Sequence, residues 1–203
     1  MTAAIWRIER LVPGGDGFLR LDDGRAGFAE GALPGDRIRV LAVKQHKSWM
    51  RAERWELVAP GPERVAAPCP MADACGGCEW MHLARPAQIA AKASLVREAL
   101  ERTGGLRDLP AIELRTVGPD LGYRCRLRLH VDADGRVGLY AKKSHRLVEI
   151  PGCPVSAREV EDALGRLREV ARPHTGVLAR WSEIEIRTAP AGPPLTLWLV
   201  PRE

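Results

Sequence analysis

The spacing of the cysteines constrains this chain more than any other feature of its sequence. Cys69, Cys75 and Cys78 follow one another with five and two residues between them, and Cys153 stands far downstream in a Gly-Cys-Pro sequence. Thiolates bind soft metals and iron–sulfur clusters, and four of them complete the ligand shell of one centre. A fold that uses all four must therefore bring a turn-rich loop together with a distant segment.

The compartment in which the chain resides decides how its cysteines are interpreted. No apolar run approaches the roughly 20 residues needed to span a bilayer, and Arg7, Glu9 and Arg10 interrupt the first ten residues, unlike a secretory signal. The sequence thus predicts a cytoplasmic protein without membrane contact, where thiols stay reduced. Five cysteines, an odd number, then indicate metal binding or chemistry and not disulfides.

The three-plus-one arrangement of the cysteines favours an iron–sulfur site over zinc, whose ligands usually arrive as two close pairs. Gly76 and Gly77 allow a sharp turn between the second and third thiols and place N–H groups near the sulfurs. Two alternatives stay open: a zinc site, in which His82 could replace one thiol, and buried free thiols. Cys125, the fifth cysteine, is interpreted as inert packing, because no paired histidine and acid stand near it.

Turn clusters divide the first 60 residues into five short strands. Glycine-rich or acidic turns at 13–17, 22–25 and 33–36 separate short apolar segments, and residues 37–43 alternate basic and apolar side chains, as a half-buried strand does. Many short strands with frequent turns predict a small β-barrel. Pro and Gly at 60–62 mark a boundary, so we expect one domain at 1–60 and a second at 61–203.

The second domain is predicted to mix helices and strands, which makes the chain α+β. Residues 86–102 have helical spacing, with an apolar stripe through Ile89, Ala93, Val96 and Leu100. A hairpin follows, with its turn at 132–135, then a strand at 147–150. Ser156 and Glu159 form a capping-box pattern at the start of a second helix, and residues 182–200 give two more strands.

Two groups of basic residues are candidates for contact with a polyanion, although the net charge of +5 is modest. The first group, interleaved with Trp49 and Trp55, consists of Arg37, Arg39, Lys44, Lys47 and Arg51. Basic and aromatic side chains together hold single-stranded nucleic acid on small barrels, but the two tryptophans are favoured as core residues. The second group consists of Arg124, Arg126, Arg128, Lys142, Lys143, His145 and Arg146. Its three strand arginines share one face and repel unless an anion lies across them, which favours RNA contact.

Several ordered motifs resemble one known family, the bacterial RNA uracil-C5 methyltransferases. Gly-Asp-Gly-Phe at 15–18, Leu-Pro-Gly-Asp at 33–36 and Pro-Glu-Arg-Val at 62–65 look like a TRAM domain, an OB-like RNA-binding β-barrel. The cluster segment and central domain of the family are matched at Cys69-Pro70, Cys75-Gly76-Gly77-Cys78, His82-Leu83, Gln88, Lys92, Tyr123-Arg124, Ser144-His145 and Cys153-Pro154-Val155. The resemblance covers nearly the whole chain.

The resemblance implies that Cys69, Cys75, Cys78 and Cys153 hold a [4Fe–4S] cluster. It also implies S-adenosylmethionine as methyl donor and rRNA or tRNA as substrate. In the family a C-terminal Rossmann-like domain holds the catalytic cysteine and the cofactor, and neither is expected in this chain, so no catalytic residue is assigned. The chain is interpreted as the RNA-binding, cluster-bearing N-terminal portion of such an enzyme, working with a methyltransferase domain or chain supplied elsewhere. The alternative is a non-catalytic RNA-binding module with an iron–sulfur or zinc site, or a truncated paralogue.

Overall fold

The computed structural model describes residues 4–189 and 192–202, which form two compact units. One unit runs up to Ala67 and adds Glu79–Arg115, and the other combines Pro68–Cys78 with the chain from Thr116 onward. The predicted division at residue 60 likewise separates the N-terminal strands from the cysteine loop. The helix after that loop, however, groups with the N-terminal strands.

Six strands of the first unit form one curled sheet, which we call the N-terminal sheet. They are β1 Ile5–Arg7, β2 Arg10–Leu11, β3 Gly17–Arg20, β4 Ala26–Ala29, β5 Arg37–Gln45 and β6 Trp49–Ala59. Their order is β1-β5-β6-β4-β3-β2, with β4 and β6 parallel. The two edge strands are separated in the chain by Ile8 and Glu9 alone, so the sheet must curl to bring its edges near each other. The assignment to an OB-like TRAM barrel stays a prediction.

The inner face of the N-terminal sheet carries a core of alternating apolar residues. Ile8 and Ile38 are almost fully buried at its centre, together with Leu19, Ala29 and Ala52. Successive strand residues point to opposite faces, so the residues between these positions lie on the outer face. The sequence predicted five strands here; β2, only two residues long, is the addition.

Two of the family motifs meet at a buried ion pair in the first unit. Asp36 is fully buried, and its carboxylate accepts hydrogen bonds from the N–H groups of Leu33 at 2.6 Å and Gly61 at 2.8 Å. Arg64 approaches the same carboxylate at 2.5 Å. Burial raises the pKa of Asp36, but these hydrogen bonds together bring it below its ordinary value. The Leu-Pro-Gly-Asp and Pro-Glu-Arg-Val segments are thereby held together.

Helix α1, Arg85–Arg102, confirms the predicted helix but not its buried stripe. No residue of this fully described helix is buried, and Val96 and Leu100 are exposed. The face that packs contains Ala87 and Ala91, which contact a small cluster formed by Leu11, Leu33 and Leu83. Small alanines, which the periodicity argument undervalued, allow the helix to approach this cluster.

The second unit is built on a five-stranded sheet with one main helix. Its elements are β7 Arg126–Val131, β8 Val137–Tyr140, β9 Leu147–Val148, α2 Arg158–Ala171, α3 Thr175–Leu178, β10 Trp181–Ala189 and β11 Gly192–Pro201. The strand order is β11-β10-β7-β8-β9, and α2 packs against β10 through the buried Val160 and Leu164. The predicted hairpin is confirmed as β7–β8, and the α+β class is confirmed. Across the described residues, no helix is long and apolar enough to cross a membrane.

The capping box predicted at Ser156 is absent from the structure. Helix α2 begins at Arg158 with Ala157 as N-cap, and no side chain caps it. Ser156 instead forms a parallel bridge with Arg124, and its N–H donates to the carbonyl of Cys153 at 2.8 Å. Its hydroxyl is buried without a hydrogen-bond partner among the described residues. The neighbouring strand-like segment therefore holds Ser156 extended, and the helix starts two residues later.

Candidate functional site

The loop that carries the first three cysteines is fixed to the edge of β8 by backbone contacts. Cys75 forms an antiparallel bridge with Ala141, and the N–H of Gly76 donates to the carbonyl of Tyr140 at 2.8 Å. A Cβ on Gly76 would lie 2.9 Å from that carbonyl oxygen, closer than side-chain carbons approach. Glycine at this position is thus needed for the loop to reach the strand.

The second glycine of the loop contacts a sulfur. The N–H of Gly77 donates to Sγ of Cys75 at 3.4 Å. A hydrogen bond from a backbone amide stabilises a thiolate more than a thiol, and cluster thiolates are tuned in this way. The prediction that this turn would aim N–H groups at the sulfurs is confirmed at Cys75.

Cys153 is held by the turn that leads into α2. It is buried, and its N–H donates to Oε2 of Glu161 at 2.9 Å. Arg124 forms a parallel bridge with Ser156. In this bridge the N–H of Arg124 donates to the carbonyl of Val155 at 2.7 Å. The carbonyl of Arg124 accepts from the N–H of Ala157 at 2.9 Å. This pairing fixes the fourth cysteine beside Arg124.

Four of the five thiols of the second unit, all except that of Cys125, share one electrostatic environment. Burial raises the pKa values of Cys75 and Cys78, and repulsion from Cys69 and Cys153 raises them further. The guanidinium of Arg124 opposes both effects, although the two pKa values stay above their ordinary value. Such mutual effects require neighbouring sulfurs, because charges interact appreciably only at short range in a solvated protein.

The thiols nevertheless do not form a closed single-ion site. Among the described residues, no group of three or more His, Cys, Asp or Glu side chains is arranged to hold one metal ion. His82, considered as a replacement ligand, lies in the first unit with Nε2 2.9 Å from the carbonyl oxygen of Gly31. The His82 ring is therefore hydrogen-bonded within the first unit.

The first basic group is divided between paired and unpaired cations. Arg39 lies 3.3 Å from Glu56 in an exposed pair, and Arg51 contacts the nearly buried Asp16 at 2.6 Å. Arg37, at the start of β5, is exposed. Arg37, Arg39 and Lys44 thus lie on β5, Arg51 lies on β6, and Lys47 lies in the turn between them. Contact of this group with RNA stays a prediction.

The two tryptophans interleaved with this group have different environments. Trp55 packs against the core of the N-terminal sheet, and its Nε1 donates to the carbonyl of Glu30 at 3.1 Å. Trp49 lies on the outer face, edge-on to Phe28 and stacked against His46. Trp55 thus packs against the core as preferred, whereas Trp49 is half-buried against Phe28 and His46.

The second basic group contains an internal anion that the sequence argument did not identify. Glu185 on β10 is buried opposite β7, and its Oε2 lies 2.6 Å from Arg126 and 3.2 Å from Arg128. Arg187 contacts its other oxygen. Hydrogen bonding from Arg126 above all, joined by Arg187 and Arg128, lowers the pKa of Glu185 to about 2 against the opposing effect of burial. The repulsion between Arg126 and Arg128 is thereby relieved within the chain, although RNA contact at their exposed ends stays a prediction. Arg124, predicted on the same strand, lies before β7 and bridges Ser156 instead.

Four further members of the second group lie between β8 and β9, and one of them contacts an aromatic stack. Tyr140 stacks on His130 with ring centroids 3.7 Å apart, and His145 meets Tyr140 edge-on at 5.1 Å. Lys142, Lys143 and Arg146 lie in the adjoining turn. The structure therefore places His145 and its neighbours on one turn beside β8.

Sequence reasoning missed Glu185, although a signal was present. The run from Glu183 to Arg187 alternates acidic and basic residues with isoleucines, and the isoleucines are fully buried. An alternating acidic strand is a natural partner for an alternating basic strand, because opposite charges across a pair stabilise a sheet. Exposed Trp198 on β11, which lies 5.7 Å from the Arg187 guanidinium, was also missed.

Comparison with known proteins identifies named relatives of this chain. It is 38% identical over 166 residues to the 23S rRNA (uracil(1939)-C(5))-methyltransferase RlmD of Halomonas elongata, covering 80% of this chain and 34% of that protein. It is 37% identical to an uncharacterized RNA methyltransferase of Gloeobacter violaceus, covering 81% and 37%. For a similar protein of Corynebacterium glutamicum the identity is 34%, with coverage of 91% and 47%. No family model matches the chain.

The fold is shared with a solved enzyme. The tRNA (uracil-54, C5)-methyltransferase of Pyrococcus abyssi, solved with S-adenosyl-L-homocysteine, superposes with a TM-score of 0.72 at 23% identity. The match covers 98% of this chain and 46% of that enzyme. The chain therefore spans less than half the length of these relatives. The resemblance expected from the motifs is confirmed at this level: the chain is homologous to part of proteins named RNA methyltransferases.

Proposed function

We propose that this chain is the RNA-binding, cysteine-bearing portion of an S-adenosylmethionine-dependent RNA (uracil-C5)-methyltransferase that modifies rRNA or tRNA. The observation that carries the proposal is the similarity to the Halomonas rRNA methyltransferase over 80% of the chain. Methyl transfer is assigned to the part of such enzymes that this chain does not match. The N-terminal sheet takes the role of the TRAM-like RNA-binding barrel.

The four thiols form the proposed ligand set of a [4Fe–4S] cluster. One tetrahedral zinc ion binds thiolates at about 2.3 Å and so requires all of its sulfurs within roughly 4 Å of one another. A cluster separates its ligands further, because each thiolate binds a different iron. Four cysteines, three in one loop and one in the turn before α2, are the donor set that such a cluster takes.

The surroundings of the thiols also suit a cluster. The Gly77 N–H already donates to the Cys75 sulfur, and Arg124 supplies a compensating positive charge. Thiolates carry more negative charge than thiols, so both groups favour the ligating form. Burial raises the thiol pKa values, but a bound metal would deprotonate its ligating thiols in spite of this rise.

The proposed role of the cluster is structural. Cys69–Cys78 lies in a loop held to β8 by a single bridge and one backbone hydrogen bond around Cys75 and Gly76. Cys153 belongs to the same unit and lies in the turn just before α2. A shared inorganic centre would link the loop covalently to this turn, and metal binding would then contribute directly to folding.

Anaerobic purification followed by iron, sulfide and zinc analysis tests the ligand set. We expect iron and acid-labile sulfide in the wild-type chain, loss of both in Cys75→Ser and Cys153→Ser, and retention in the matched control Cys125→Ser. Limited proteolysis should then cut the loop around residue 75 in the two ligand variants alone. Stoichiometric zinc without sulfide, or equal iron in all variants, would contradict the assignment.

Mapping 5-methyluridine in cellular RNA tests the proposed function. Deleting the gene that encodes this chain should abolish 5-methyluridine at one rRNA or tRNA position, and the wild-type gene should restore it. A non-catalytic module would leave every 5-methyluridine in place. Mass spectrometry of RNA fragments from the two strains separates these outcomes.

A further inference from the structure

Four aromatic rings form a continuous row on the outer face of the N-terminal sheet. This aromatic row runs from Phe18 on β3 through Phe28 on β4 to Trp49 on β6, and ends at His46. Successive ring centroids are 5.7, 6.3 and 3.7 Å apart, edge-on in the first two pairs and stacked in the last. The first two separations lie within the usual range of attractive edge-on ring contacts, and the third is a close face-to-face stack.

The aromatic row lies apart from the core cluster on the inner face of the sheet. Phe18 is buried beneath Arg10 and Arg20, and Phe28 and Trp49 are half-buried. Leu19 and Ala29, the chain neighbours of Phe18 and Phe28, lie in the core cluster on the inner face. Met50, next to Trp49, packs against the same core. Since successive strand residues alternate between faces, the rings point away from it. Phe28 and Trp49 thus keep part of their ring surface accessible on the outside of the sheet, which packing in the inner core does not explain.

Arginines are fixed over the aromatic row by ion pairs. The Arg10 guanidinium lies 4.4 Å from the Phe18 ring centroid and is held by Glu98 on α1 at 2.8 Å. Arg51, directly opposite Phe28 in the strand register, lies 5.7 Å from that ring. Glu98 and Asp16 balance the charges of these two arginines and hold their planar guanidinium groups against the rings.

Two exposed lysines flank the same face with their charges free. Lys44 stands beside Arg51 in the β5–β6 register, and Lys47 lies in the turn between these strands. Neither forms an ion pair within the described parts of the chain. Free ammonium groups next to half-buried rings match a polyanion that also presents planar bases.

The contact between His46 and Trp49 indicates how a base would bind. The centroids of the imidazole and indole rings lie 3.7 Å apart at an interplanar angle of 20°. The face of the Trp49 indole therefore accepts a planar heterocycle. We infer that single-stranded RNA crosses the outer face of β4 and β6 with one base stacked on Trp49 in place of His46. The phosphates then lie toward Lys44 and Lys47. The inference rests on the RNA substrate proposed above and adds the residue that contacts a base.

Binding of the full chain to a labelled single-stranded oligouridine of about 12 nucleotides, the scale that small β-barrels cover, tests this inference. Stacking predicts that Trp49→Leu weakens affinity about 5- to 100-fold, whereas Trp49→Phe retains most of it. His46→Ala should leave affinity unchanged or improve it, because the base no longer competes with the imidazole. Fluorescence anisotropy gives the three affinities, and thermal unfolding shows that each variant is folded.

Oligonucleotides with a single abasic position separate stacking from general disruption. The wild-type chain should lose affinity at one abasic position, and that penalty should vanish in Trp49→Leu. If the wild-type chain binds RNA but Trp49→Leu binds equally well or shows the same penalty, stacking on Trp49 is refuted while RNA binding stands. If the wild-type chain does not bind the RNA, both the stacking and RNA binding by this chain are refuted.

Discussion

Glu185→Gln removes the carboxylate on which three arginines converge. The Glu185 side chain is only 7% exposed, whereas Arg126, Arg128 and Arg187 are 48%, 51% and 47% exposed. Because each guanidinium side chain is about half exposed to solvent, each ion pair should stabilise the fold as an exposed pair does, by about 0.2–1 kcal/mol. Three such pairs predict a loss of about 1–3 kcal/mol in the free energy of unfolding at pH 7.

The pH dependence of that loss provides a second, independent check. Folding lowers the Glu185 pKa from its ordinary 4.5 to about 2, so its contribution is complete above pH 4.5 and is lost as the pH falls toward 2. The difference between wild type and Glu185→Gln should therefore shrink by roughly half near pH 3. Urea unfolding at pH 7 and pH 3 measures both values.

Glu183→Gln on the same strand is the matched control. Glu183 is 28% exposed and its contacts are longer, 3.6 Å to Arg128 and 3.5 Å to His130. We expect its loss to be below about 1 kcal/mol, as for an exposed pair. If the two variants unfold alike, or if the Glu185→Gln effect is the same at both pH values, the convergence on Glu185 does not stabilise the sheet.

Two further substitutions test the loop and the buried ion pair. Gly76→Ala forces a carbon against the Tyr140 carbonyl and should cost about 1–3 kcal/mol. Gly165→Ala in α2, with open space around the added carbon, should stabilise the chain by up to about 1 kcal/mol, and urea unfolding of both checks the contrast. Asp36→Asn leaves Arg64 without its countercharge and should cost about 3–5 kcal/mol, measured by thermal and urea unfolding. A loss below 1 kcal/mol would show that the pair is not structural.

Local signals predicted most of the secondary structure. The hairpin turn at 132–135 was predictable because Asp132 bonds the N–H groups of Asp134 and Arg136, a property of the turn residues themselves. The parallel pairing of β4 with β6 was not, since it depends on how the whole sheet curls. The buried face of α1 was missed for the same reason, because the partner of Ala87 and Ala91 is set by tertiary contacts.

The capping error at Ser156 shows how a tertiary contact overrides a local motif. A serine followed three residues later by glutamate favours a helix start. Here the bridge to Arg124 fixes the Ser156 backbone, and the acid that reaches back is Glu161, which accepts the N–H of Cys153. Predicting the helix start at Arg158 would have required knowing that Arg124 pairs with Ser156, which no local pattern indicates.

Arg124 best illustrates why the cysteine site cannot be separated from the fold. Its sequence position suggested a phosphate contact, and that role stays a prediction. Its backbone, however, pairs with both Val155 and Ala157, and its charge partly offsets the burial that raises the pKa of Cys78. One residue thus fixes the turn that carries the fourth thiol and favours the thiolate form of another. Because the pairing is made by the backbone, substitution of the side chain should alter thiol ionisation while leaving the turn intact.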